Sequence, residues 1–193
     1  MNFLLRPGWL DYNNLNVFGK SLFQPEYLIL RKALEEQLPK ESILRLFDNQ
    51  NEIIQMNLSP ITVLEEMSKN QREKSDIECK FFENASDVPD PRELCLDKKN
   101  LMVFDDLLLE KQIKCEAYYT RGRHSNVDCF SLAQNYFKLP RQTIRENANF
   151  ICLFHQDLKN AWDKPHSFVC VDLSSNKNNG KYRIGLDMFY IPK

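Results

Sequence analysis

Two carboxylates stand at the end of an apolar run, Leu101-Met102-Val103-Phe104-Asp105-Asp106. Four consecutive apolar residues suit a strand buried on both faces, and open α/β sheets bind ligands where such strands end. Adjacent acids in that place suit a divided task. One carboxylate can hold a divalent cation, directly or through water, while the other polarises an attacking water. Taken alone, the pair reads at least as well as two solvated acids at a strand end. Its setting shifts that balance. After it come Thr120-Arg121-Gly122-Arg123-His124, then Cys129-Phe130-Ser131-Leu132-Ala133 closing on Gln134, then Leu139-Pro140-Arg141-Gln142-Thr143-Ile144-Arg145.

The elements that must position these residues can be read from periodicity. Leu15-Asn16-Val17-Phe18 is a short strand candidate, entered through the turn Pro7-Gly8. Tyr27, Leu30, Ala33, Leu34 and Leu38 recur at helical spacing from Pro25, with Pro39 as the expected stop. Ile43, Leu44 and Phe47 predict a second short helix. Residues 50–100 mix charge with Pro60, Pro89 and Pro91, and read as an irregular, insert-like segment of short helices and loops around a weak strand near Phe81. A helix is expected over 107–119. Cys129–Ala133 and Phe150–Phe154 are two further apolar runs, each about twenty residues after its predecessor, the length a crossover in a parallel sheet requires. Ser167–Leu173 and Tyr182–Tyr190 flank a turn and predict a terminal antiparallel hairpin over 167–190. The expected architecture is one α/β domain over 1–193, a mostly parallel sheet flanked by helices.

Composition excludes several classes. A chain of 193 residues suits one α/β domain with a real core. Its 26 Lys and Arg nearly balance 27 Asp and Glu, so a nucleic-acid role would need a local basic surface rather than a global field. Asn2-Phe3-Leu4-Leu5-Arg6-Pro7 is far too short an apolar run for a signal h-region or a membrane span. The six cysteines are scattered, several inside apolar runs, and are expected to be reduced core residues of a soluble, intracellular protein.

In their order and spacing the motifs resemble the FtsK/HerA superfamily of P-loop ATPases, and within it the poxvirus-type DNA-packaging ATPases also carried by polinton-like elements. The resemblance runs from Pro7-Gly8 and Lys20-Ser21-Leu22-Phe23-Gln24-Pro25-Glu26-Tyr27 through Asp105-Asp106 to Arg145, most of the chain. It implies ATP and Mg²⁺ as cofactors, with Asp105 as the metal-holding acid. Asp106 takes the place of the catalytic acid, and Gln134 is the sensor that contacts the γ-phosphate or positions water. Arg121 and Arg123 match the region that presents an arginine finger to the neighbouring subunit; which of them serves is left open. The implied partners are double-stranded DNA, further copies in a homo-oligomeric ring and capsid proteins, in a viral factory, a virion, or the host cytoplasm or nucleus.

One element of the family pattern is missing. A Gly-rich loop ending in Gly-Lys-Thr or Gly-Lys-Ser should precede the helix before the Pro-Gly turn, its amides cradling phosphates. Here the opening Met1-Asn2-Phe3-Leu4-Leu5-Arg6-Pro7-Gly8 reads as the tail of that helix, so the expectation is a domain truncated at its amino end. Gly19-Lys20-Ser21 is no substitute: GxxxxGK[ST] would need glycine where Asn14 stands, and Pro25 obstructs a helix starting at the lysine. The rival expectation is a remnant without catalysis, from an endogenous virus or transposon, that binds DNA or joins rings. Outside the family pattern, Cys152, His155, His166 and Cys170 offer four zinc-type ligands. Both cysteines sit in apolar runs, so core packing is the expectation and zinc is not. His124 is expected to be a loop or interface residue.

Overall fold

The computed structural model describes residues 2–107, 112–154, 168–175, 181–184 and 188–190. They fall into two compact units, Met1–Pro140 and Arg141–Lys193.

In the first unit, strands β1 (Asn14–Gly19), β2 (Glu78–Phe82), β3 (Asn100–Asp105) and β4 (Val127–Leu132) pair entirely in parallel, in the order β2-β1-β3-β4. The inner strands are the more apolar ones, with Asn16 and Asn100 as buried polar exceptions. Leu15, Val17, Phe18 and Leu101–Phe104 are all buried, whereas β2 and β4 at the edges are partly exposed, as a parallel sheet covered on both faces requires. Side chains alternate across the strands. Leu15, Val17, Leu101 and Val103 join one core with Leu30 and Leu34 of helix α2, after the short helix α1 (Asn2–Leu5); α2 spans Pro25–Glu35. Ile43 and Leu46 of α3 (Lys40–Asp48) belong to the same core. The other face carries Phe18, Met102 and Phe104. There the Phe104 ring meets Phe18 edge-on at 6.3 Å and Tyr118 at 5.3 Å. Tyr118 belongs to α6 (Ile113–Arg121), so helices cover both sides.

Chain reversals have local causes. α2 starts with Pro25 in its first turn, where proline's missing N–H costs nothing. It stops at Glu35, four residues before Pro39. Gln37 turns left-handed at φ 58°, and the Leu38 N–H donates to the Ala33 carbonyl at 3.0 Å. This closing motif satisfies carbonyls the helix leaves free, so the proline is not what ends it. The device recurs after α4 (Gln50–Gln55), with Asn57 at φ 57° and Leu58 N–H on Ile53 O at 3.1 Å. Residues 50–100 thus hold α4, α5 (Pro60–Asn70) and the edge strand β2.

The second unit corrects the reading of Phe150–Phe154 as another parallel strand. That run is β5, and it pairs antiparallel with β6 (Phe168–Asp172). Phe150 and Leu153 are exposed at 51% and 42%, the burial of a strand with an open face rather than one sandwiched between helices. The expected hairpin is present, but its second arm is two strands: β7 (Tyr182–Ile184) pairs with β6, and β8 (Met188–Tyr190) pairs with β7. Among the described residues no helix is long and apolar enough to cross a membrane.

Candidate functional site

β3 ends at Asp105, and the parallel register sets Asp105 beside Gly19 of β1 and Leu132 of β4. The carboxyl edge of the sheet therefore gathers three chain exits. Gly19 explains how two of them come so close. A Cβ on it would lie 3.2 Å from the Asp105 Cβ and 3.3 Å from Leu22 Cδ2, tighter than ordinary packing. The glycine of Gly19-Lys20-Ser21 is thus a close contact between strand ends. No helix follows the lysine directly; α2 begins five residues on, and Lys20 is exposed in the intervening turn.

Asp105 is half-buried, and its Oδ2 accepts a 2.7 Å hydrogen bond from the Tyr27 hydroxyl, in the first turn of α2. Tyr27 reads in sequence as one more apolar position of that helix. Its hydroxyl, reaching an acid far away in the chain, is what sequence reasoning misses. Asp106 is exposed and left-handed, at φ 47°, a conformation aspartate and asparagine tolerate better than most residues. Its N–H continues the ladder onto Leu132 O at 3.0 Å. Gln134, just beyond β4, donates from Nε2 to Asp106 Oδ2 at 3.0 Å. The structure thus brings Asp105, Asp106 and Gln134 together and adds Tyr27. Exposed aromatic rings follow the same strand ends, Phe23 after β1 and Phe137 after Gln134, 73% and 83% exposed.

Arg121 and Arg123 are not part of this cluster. α6 leaves the carboxyl edge after β3 and must return to the amino end of β4, so both arginines lie at the opposite edge, exposed, around the buried Gly122. A six-residue strand separates the edges, roughly 16 Å at 3.3 Å per residue. Neither arginine can serve the Asp105–Asp106 pair of its own chain. His124 lies in the same exposed turn.

The donor set at Asp105 and Asp106 suits Mg²⁺ chemistry. That ion takes oxygen ligands, commonly one or two carboxylates completed by water and phosphate oxygens. With Oδ2 of Asp105 engaged by Tyr27, Oδ1 is the atom with which it would bind. Among the described residues no group of three or more His, Cys, Asp or Glu forms a metal cluster. Cys152 and Cys170 face each other across β5 and β6, while His155 and His166 lie outside the described residues.

The Tyr27 hydroxyl is pushed well above the ordinary tyrosine range, first by burial and then by the Asp105 carboxylate it donates to. The fold thus favours the neutral phenol. That stability is fully present below the unfolded tyrosine's pKa, about 10, and is lost as pH rises toward the folded value. Tyr27→Phe is expected to cost about 1 kcal/mol near neutral pH and to make the alkaline fall in stability shallower. Urea midpoints taken from neutral pH to roughly pH 11 test this. An alkaline limb identical to the parent's would remove Tyr27 from the account. Tyr12, Tyr118 and Tyr119, raised by burial as well, keep part of the limb in either case.

No family of known proteins, no curated protein and no solved structure matches this chain.

Proposed function

We propose that the carboxyl edge of the first sheet is the acidic half of a Mg²⁺–ATP site, and that the chain serves an ATP-driven motor moving double-stranded DNA as part of a homo-oligomeric ring. The observation that carries the site is the placement of Asp105 and Asp106 at the end of a buried parallel strand, with Gln134 of the adjacent strand end hydrogen-bonded to Asp106. DNA as cargo rests on the resemblance in motif order alone.

Each residue has a definable task. Asp105, hydrogen-bonded to Tyr27 through Oδ2, would hold the cation with Oδ1. Bound Mg²⁺ would supply neutralisation of charge on the phosphate oxygens. Asp106 orients and deprotonates the attacking water, and Gln134 fixes the carboxylate that does so. Arg121 or Arg123, at the far edge, is presented to the nucleotide of the next subunit and not to its own.

Equilibrium binding of a fluorescent ATP analogue tests the assignment. The chain by itself is expected to bind weakly and without Mg²⁺ dependence. With a strand and a Gly-Lys-Thr loop placed ahead of Asn2, it is expected to bind in Mg²⁺, and Asp105→Asn to weaken that binding by about tenfold or more. Indifference of the Asp105→Asn protein to Mg²⁺ removal, at parental affinity, would end the metal assignment. Strong Mg²⁺-dependent binding by the chain alone would turn attention back to Lys20.

A further inference from the structure

The second unit holds two thiols in an arrangement that nothing above uses. Cys152 of β5 and Cys170 of β6 are direct partners in the antiparallel ladder. Their place in the hydrogen-bond alternation can be derived. The Leu173 N–H donates to Asn149 O at 2.8 Å. With Phe150 opposite Asp172, this makes Asn149 and Leu173 a hydrogen-bonded pair. Counting along the ladder, Ile151–Val171 is the next such pair, and Cys152–Cys170 falls at a non-hydrogen-bonded position. Those are the positions where facing side chains come closest, with Cα atoms about 4.5 Å apart. That spacing lies within the range a disulfide spans without backbone movement, roughly 4.4–6.8 Å.

The surroundings single this pair out. Residues two apart on a strand share a face, so Asp172 lies on the thiol side, and Arg183 of β7 is the partner of Cys170 in the next ladder. Arg183 Nη2 is held by Asp172 Oδ2 at 3.0 Å. The same carboxylate, 4% exposed, also accepts from the hydroxyls of Ser174 and Ser175 at 2.6 and 2.9 Å. A cation is therefore clamped beside Cys170 by a fully engaged acid.

We propose that Cys152 and Cys170 are a modification site: a dithiol that a hydroperoxide closes to a cross-strand disulfide. Cys152, the half-buried sulfur, meets the oxidant, while Cys170 is buried. The Cys152 sulfur attacks the peroxide, breaking the O–O bond; it becomes a sulfenic acid, and the remainder leaves as an alcohol or water. The Cys170 sulfur then attacks the Cys152 sulfur. An S–S bond forms, the S–O bond breaks, and the departing hydroxide takes the last thiol proton as water. Two thiols lose two electrons and two protons to one hydroperoxide, yielding the disulfide, an alcohol or water, and one further water.

Electrostatics favour the second step at Cys170. Its thiol is held below the ordinary cysteine value, first by the hydrogen bond with Cys152 and then by the Arg183 guanidinium, against the upward pull of burial and of Asp172. Cys152 is pushed up by the same bond and by burial, so access rather than acidity assigns it the first step, which is the slower of the two. Cys129, in the other unit, shows what burial does without such help: it is pushed up to about 12.

The test uses the whole chain. Native and urea-unfolded protein are treated with a slight excess of hydrogen peroxide, quenched by alkylation, and digested for peptide mass spectrometry. Closure of the Cys152–Cys170 link is expected at least about tenfold faster in the native chain, the advantage of thiols already held at bonding distance. In Cys170→Ser, Cys152 is expected to accumulate as sulfenic acid, trapped by dimedone. If that variant fails to fold, Cys152→Ser, at the more exposed position, is expected to leave Cys170 reduced under the same treatment. Equal closure rates in native and unfolded chain, scrambled pairing among the six cysteines, or full alkylation of both thiols after native treatment would each overturn the proposal.

Discussion

Asp106→Asn, in a chain supplied with a phosphate loop, is expected to lower ATP turnover by roughly a hundredfold or more while leaving Mg²⁺–ATP binding near its parental strength. A positioned general base contributes typically 10²–10⁴ in rate, and its loss appears in turnover rather than in ground-state binding. Asparagine is the informative replacement because of the backbone. At φ 47° it sits nearly as easily as aspartate, whereas alanine would add strain of about 1 kcal/mol. The amide oxygen can still accept from Gln134 Nε2. Only the charge and the basicity are removed. Steady-state turnover and nucleotide affinity, measured on the same preparation, separate the outcomes. Turnover within a factor of a few of the parent would show that Asp106 is a solvated strand-end acid. Loss of binding together with turnover would show instead that it holds the metal.

The second large effect is structural. Phe104→Ala is expected to cost about 3–5 kcal/mol of stability, a large part of the 5–15 kcal/mol typical of a domain. Phe104 is fully buried and precedes Asp105. Its ring lies between Phe18 of the neighbouring strand and Tyr118 of α6, edge-on to both. Truncation opens a cavity between sheet and helix and removes two aromatic contacts, each worth about 0.5–1.5 kcal/mol beyond area burial. Urea unfolding followed by far-UV circular dichroism measures the loss. A cost below about 1 kcal/mol would mean that α6 collapses onto the sheet without the ring, and that this face is not a packed core. The two variants also separate fold from chemistry, since Asp106→Asn should leave the urea midpoint almost unmoved.

The inner strands are legible in the sequence because burial on both faces leaves a signature of its own, an unbroken apolar run. Leu101–Phe104 has it, Leu15–Phe18 has it save for the buried Asn16, and both are central. The run at Phe150–Phe154 looks the same and is not, because an apolar run records burial and says nothing of strand direction. Direction is set by the partner, and β5 finds its partner in β6. The Asp105–Asp106 pair could be placed at a strand end from sequence. Its contact with Gln134 follows only once β3 and β4 are known to be neighbours. Tyr27 was hidden by its own dual character: the ring obeys the helical period, and only the hydroxyl reaches the site. The separation of Arg121 and Arg123 from the acids is a consequence of topology that residue spacing alone does not express.

The hydrogen bond from Tyr27 to Asp105 also bears on which ion the acid would accept. A carboxylate free at both oxygens can grip a cation with the two together, the mode that larger, loosely coordinated calcium often uses. Here the phenol already donates to Oδ2 at 2.7 Å, and burial together with that carboxylate makes it a weaker acid than an ordinary tyrosine. Two-oxygen coordination would require Oδ2 to serve phenol and ion at once. One-oxygen coordination leaves the hydrogen bond intact and matches the compact octahedral shell of magnesium. If Asp105 holds an ion, the tyrosine would favour one-oxygen over two-oxygen coordination without touching the ion.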